Sequence, residues 1–168
     1  MEGKKMQTRA RALLVFGAPC SGKTTFAEKF AKRFGLAHYD LDELMEKDNF
    51  TRKQTLVFLE QLLRTGQTIV VEGGLKTEKE RAEIRNLLRA GHYEPALIWI
   101  QTDVATIRVR LKQRHRSVSK AKEIYDKAVS EMEAPAENER PIILSGKHTF
   151  DTQAKHVVTG LADLAEAK

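Results

Sequence analysis

The stretch LLVFGAPCSGKTTFAEKF, residues 13–30, runs from apolar residues through a glycine-bounded loop into residues with a helical period. Its centre, GAPCSGKT, satisfies G-x-x-x-x-G-K-[ST] in full at Gly17, Gly22, Lys23 and Thr24. Glycines let successive backbone N–H groups turn around an anion, and the helix that follows points its positive end at the same place. This predicts a phosphate-binding loop formed by Gly17, Ala18, Pro19, Cys20, Ser21, Gly22, Lys23, Thr24 and Thr25. Lys23 is the candidate bridge between β- and γ-phosphates, and the Thr24 hydroxyl is the candidate magnesium ligand. Cys20 lies at the loop's tip, where it is either a redox-sensitive thiol or a small side chain that fits.

Outward from the loop, short apolar runs alternate with helical periods, the pattern of a parallel sheet wrapped by helices. ALLVF, LAHYD, TIVVEG and PALIWIQ are the expected strands in order, with KHTFDT as the last. Phe26, Phe30 and Phe34 mark the inner face of the helix after the loop, which Gly35 ends. Leu56, Leu59 and Leu63 face inward on a helix stopped by Gly66. Thr77 with Glu80 forms a capping box opening a helix that runs to Gly91. Asp103 caps a helix that turns Val104, Ile107 and Leu111 inward, and a further helical segment spans about 119–132 until APAENERP breaks it. Asp151 is expected to cap a final helix with Ala154, Val157, Val158, Leu161 and Leu164 inward.

Composition bounds the rest. With 168 residues, 41% hydrophobic and 31% charged, the chain has room for one core, expected from about residue 12 after a polar, basic leader over 1–11. Its longest apolar runs are too short to span a bilayer and no signal peptide is visible, so a soluble, cytoplasmic protein without membrane association is expected. A single cysteine excludes an internal disulfide and a thiolate zinc cluster. Lys+Arg exceed Asp+Glu by 29 to 23, which suits phosphate-rich substrates; nucleic acid is allowed but not required, because no aromatic-basic platform accompanies the charge.

Several carboxylates and bases fall where chemistry would need them. HYDLDELMEK follows the second strand and places Asp40 and Asp42 at the sheet edge where ligands bind. Either aspartate can cap the short helix that follows, and Asp40 suits that role better than chemistry. A hydroxyl that accepts a phosphoryl group must lose its proton, and Asp42 is the candidate base. TIVVEGG ends an apolar strand in Glu72, an acid able to reach magnesium through water. Gly73 and Gly74 then either bring backbone close to a ligand or make a turn. Arg110 and Arg114, one helical turn apart, form either a solvated basic face or a lid stabilising transferred charge; five bases between Arg108 and Arg116 favour the lid.

GAPCSGKTT, LDEL, VVEGG with its KTEKERAEIRNLLR helix, RVRLKQR and the closing FDT, in this order, resemble small P-loop kinases of the AAA_33 type, the group similar to polynucleotide kinase, zeta toxin and chloramphenicol phosphotransferase. The resemblance runs from about residue 12 to 152. It implies a three-layer P-loop fold like that of nucleoside monophosphate kinases, with a five-stranded parallel sheet, helices on both faces and a short arginine-bearing lid. It implies ATP and Mg2+, Asp42 activating the acceptor, Arg110 and Arg114 as lid arginines, and the segment around Asp151 near the nucleotide base. The family often carries arginine three positions after its acceptor aspartate; here Met45 stands there, and Arg81 or Arg85 are the candidates to replace it. The expected activity is transfer of the γ-phosphoryl group of ATP to a hydroxyl of a small molecule or nucleotide, by a monomer or weak dimer. Polynucleotide 5′-hydroxyl phosphorylation and a nucleotide-dependent regulatory module are the alternatives.

Overall fold

The computed structural model describes residues 9–115 and 117–166. Most of the expected leader and Arg116 therefore lie outside the described residues, while Arg11 already belongs to the first strand. Five parallel strands form one sheet: β1 (Arg11–Phe16), β2 (Ala37–Asp40), β3 (Ile69–Glu72), β4 (Glu94–Gln101) and β5 (Ile142–Ser145), in the order β2-β3-β1-β4-β5. Seven helices are described: α1 (Lys23–Phe34), α2 (Leu41–Glu46), α3 (Arg52–Leu63), α4 (Glu78–Ala90), α5 (Val104–Arg114), α6 (Val118–Glu131) and α7 (Phe150–Glu166).

β1 occupies the centre because every residue from Ala12 to Phe16 is apolar and can be buried on both faces. Its side chains divide by parity, as a strand's must. Ala12, Leu14 and Phe16 join Leu59 and Leu63 of α3 and Ile84 and Leu88 of α4 on one face. Leu13 and Val15 join Phe26 and Phe30 of α1 and Ala154 and Val157 of α7 on the other. A third, smaller cluster, Ile107, Leu111 and Ala121, binds α5 to α6.

Helix ends follow their sequence signals. Thr51 and Thr77 each cap a helix through a full capping box, with Gln54 and Glu80 reaching back. Gly35 closes α1 in the left-handed conformation at φ 64°.

Several expectations are corrected. The last strand is Ile142–Ser145, not KHTFDT, whose residues form the turn after β5 and the start of α7. The Oγ1 of Thr149 accepts the Thr152 N–H, so Asp151 lies in the first turn of α7 rather than at its cap. Phe34, Val104 and Val158 are exposed. Phe34 and Val104 sit in the terminal turns of their helices, and Val158 falls beside the 154/157/161/164 stripe.

Candidate active site

The loop from Gly17 to Thr24 is pressed into its neighbours. A Cβ on Gly17 would lie 2.5 Å from the Ile100 carbonyl oxygen, so only glycine fits under β4. The Ser21 N–H donates to the Ala18 carbonyl at 3.1 Å, folding Pro19 into the bend. Cys20 at φ 58° and Gly22 at φ 104° are both left-handed, which reverses the chain into α1. Unlike α2 through α6, α1 has no side-chain cap, and its first turn carries no acidic residue to occupy the N–H groups in its place. Its first N–H groups are therefore left for an anion. Lys23 and Thr24 open the helix, and with Thr25 they line a cleft of about 530 Å³.

At the end of β3 the structure joins two predicted metal ligands. The Thr24 hydroxyl donates to Glu72 Oε2 at 2.9 Å, and Glu72 is fully buried. The other carboxylate oxygen accepts from His38 Nε2 at 2.9 Å. That hydrogen bond raises the His38 imidazole above its ordinary value, against the opposing effect of burial. His38 escaped sequence reasoning; its only signal is its place two residues before Asp40 on a strand paired with β3.

The two aspartates have separate placements. Asp40 accepts the Glu43 N–H at 3.0 Å and caps α2, and burial raises its carboxyl above the usual value. Asp42 accepts the Gly74 N–H at 2.9 Å through Oδ1 and packs so closely on Gly73 that a Cβ there would overlap it. Gly73, at φ 80°, thus brings Asp42 to within two residues of Glu72 along β3's exit. The Asp42 Oδ2 has no partner among the described residues.

Arg110 and Arg114 of α5 line the same cleft as Lys23. Arg110 donates to the carbonyls of Cys20 (3.1 Å), Ser21 (3.3 Å) and Gly146 (3.1 Å), tying the helix to the loop and to the turn after β5. Thr102, also unforeseen, donates to the Ser21 carbonyl at 2.9 Å. A Cβ on Gly146 would collide with both, so the turn needs glycine to approach the loop. Cys20 packs against the α5–α6 cluster, and Arg114 approaches its Sγ at 3.9 Å.

The far wall of the cleft comes from the start of α7: His148, Phe150 and Gln153 line it. Asp151 does not; it pairs with Arg33 at 2.6 Å on the outer surface. Arg81, one of the candidate acceptor contacts, is fully buried and bonded to Glu139, so it cannot reach a ligand. Arg85 also turns toward Glu139, at 3.5 Å.

Residues 13–138 match the family model AAA_33, described as an AAA domain. The chain belongs to the AAA_33 family. No curated protein matches it. Among solved structures, an AAA_33 chain of this shape is similar to a gluconokinase from Sinorhizobium meliloti 1021, with a TM-score of 0.74, 18% identity and coverage of 96% of this chain and 97% of that one. A sugar kinase from Janibacter sp. HTCC2649 superposes with a TM-score of 0.71 at 18% identity, over 91% of this chain and 95% of the other. The Mycobacterium tuberculosis APS kinase, in complex with AMPPNP and APS, gives 0.65 at 20% identity, over 92% and 98%. The fold is thus that of small P-loop kinases, as the motif order implied. No helix among the described residues is long and apolar enough to cross a membrane.

Proposed function

We propose that this protein is an ATP-dependent phosphotransferase that moves the γ-phosphoryl group to a hydroxyl of a small molecule. The observation that carries this reading is the cleft where Lys23, the uncapped end of α1, Arg110 and Arg114 meet. Its chemistry is anion chemistry, and Asp42 stands next to β3's exit with one carboxylate oxygen available for a proton. Lys23 and the α1 amides would hold the triphosphate, Arg110 and Arg114 would stabilise charge as the phosphoryl group moves, and Asp42 would orient the acceptor hydroxyl and take its proton.

Thr24 and Glu72 offer hard oxygen donors side by side, a set that suits Mg2+ completed by phosphate oxygens and water. When bound, the ion would neutralise phosphate charge. His38 would hold the Glu72 carboxylate in place. The structural neighbours named for sugars and gluconate support a small hydroxylated acceptor.

The test is a transfer screen with labelled ATP over sugars, sugar acids, nucleosides and oligonucleotides, beside Lys23→Ala and Asp42→Asn. Transfer to a small hydroxyl compound, lost in both variants, is expected. ATP hydrolysis without transfer to any acceptor, unchanged in Asp42→Asn, would sink the assignment.

A further inference from the structure

A second cavity, of about 440 Å³, opens at the edge of the sheet where the strands begin. Arg11 starts β1 and Glu94 starts β4, both at this rear edge, while the phosphate loop leaves the other end of β1. The six residues of β1 separate the two sites by about 20 Å at a strand's rise per residue. No ligand in this cavity can share the reaction at Lys23.

Its walls are unbalanced in charge. Four arginines, Arg11, Arg85, Arg89 and Arg140, face two glutamates, Glu94 and Glu139. Both carboxylates are engaged: Glu94 pairs with Arg11 at 3.6 Å, and Glu139 accepts two 2.9 Å hydrogen bonds from the buried Arg81. Arg85 is left with an ion pair to Glu139 at 3.5 Å and no hydrogen bond, and neither Arg89 nor Arg140 makes an ion pair among the described residues. Burial and the neighbouring Arg89 charge both work against the Arg85 guanidinium's protonated form. Between the arginines the floor is apolar, built from Pro95, Leu97, Leu161 and Leu164.

We propose that this rear cavity is a binding site for a small phosphate monoester with an apolar body. The partly buried Arg85 and the exposed Arg89 and Arg140 bring three guanidiniums, none hydrogen-bonded to a carboxylate among the described residues, to one cavity. This matches a dianion better than a single negative charge, and their planar forks suit phosphate oxygens. The volume falls within the range of small-ligand sites, and the leucine floor takes the apolar part. An anion there supplies what Arg85, Arg89 and Arg140 lack, and releases the repulsion between Arg85 and Arg89.

The experiment is a titration of the full-length protein with phenyl phosphate, followed by backbone amide shifts. Saturable shifts at Arg140, Leu161 and Leu164 are expected, resolved from any shifts at Gly22 and Thr24. Arg89→Ala with Arg140→Ala should weaken the rear response about tenfold or more, as expected for losing charge-assisted hydrogen bonds. Arg140→Ala alone should weaken it in the same direction. Lys53→Ala with Lys122→Ala, which removes equal charge elsewhere, should leave it unchanged. Benzoate and inorganic phosphate should each bind more weakly than phenyl phosphate. Non-saturable rear shifts, equal weakening by the control pair, or equal binding of benzyl alcohol would overturn the proposal. Benzoate binding as well as phenyl phosphate would overturn its phosphate assignment.

Discussion

Two helices of this protein carry arginines four positions apart, Arg81 and Arg85 on α4 and Arg110 and Arg114 on α5, and the fold uses the first of each pair in opposite ways. Arg81 is fully buried, lies over the Phe16 ring at 5.0 Å, and is hydrogen-bonded to Glu139 and to the carbonyls of Leu75, Lys76, Glu133 and Ala134. Every donor on its guanidinium head has an acceptor, one of them a carboxylate. Arg110 also binds carbonyls, but no carboxylate among the described residues pairs with it, and it lines a cleft. A buried arginine with its own counter-ion locks structure; one held by carbonyl dipoles alone keeps its charge for a ligand.

The largest effect should come from breaking the locked site. Glu139→Gln leaves the Arg81 charge buried without its counter-ion, which costs about 3–5 kcal/mol of stability. Denaturant unfolding measures this, and nucleotide affinity of the folded variant should be close to wild type. The pH dependence sharpens the same point. Burial pushes the Glu139 carboxyl up, but the hydrogen bonds from Arg81 and the Ala136 N–H outweigh it and hold the group below its ordinary 4.5. A depressed carboxyl contributes stability that is present above its unfolded value and lost as pH falls through the native value. Acid should therefore destabilise wild type below about pH 4.5 with a slope that Glu139→Gln reduces. Identical slopes would show that Glu139 is not the lock.

Arg110→Ala should reverse the balance. If Arg110 serves the proposed phosphoryl transfer, removing its charge should cost about 10²–10³ in kcat. Its bonds to three carbonyls are neutral-acceptor bonds to a partly buried group, so stability should fall by only about 1–2 kcal/mol. If unfolding shifts as far as for Glu139→Gln while turnover holds, Arg110 is a lock too and the contrast between the helices fails.

The difference between these pairs is not legible in the sequence, because Glu139 stands 58 residues from Arg81 and sits in a breaker segment that looks like solvent-exposed loop. Local signals were legible. The complete phosphate-loop motif, the apolar run Ala12–Phe16 of β1 and the capping box at Thr77 each depend on neighbours within a few residues, and each lies where the pattern put it. β5 was misplaced because IILS is only four residues long and follows Pro141, whereas KHTFDT carries β-favouring residues that Gly146 and the Thr149 cap turn into a helix start. At the site, the Thr24–Glu72 contact follows from two motifs meeting at adjacent strand ends. The His38 bond to Glu72 and the Thr102 bond to the loop depend on strand order and packing, which no local window holds.

The smallest effect should come from Asp151, which tests where the comparison stops. Its neighbours Phe150 and Gln153 line the cleft, yet its carboxylate faces Arg33 with 81% of the side chain exposed. Solvent screens such a pair, so Asp151→Ala should change unfolding free energy by less than about 0.5 kcal/mol. The KM for ATP should also stay at the wild-type value, because no contact from Asp151 reaches the cleft wall. A KM raised about tenfold, equivalent to about 1.4 kcal/mol of binding, would mean that this carboxylate leaves Arg33 for the nucleotide. Arg33 would then belong with Arg110, as a cation left without a carboxylate of its own beside the cleft, rather than with Arg81.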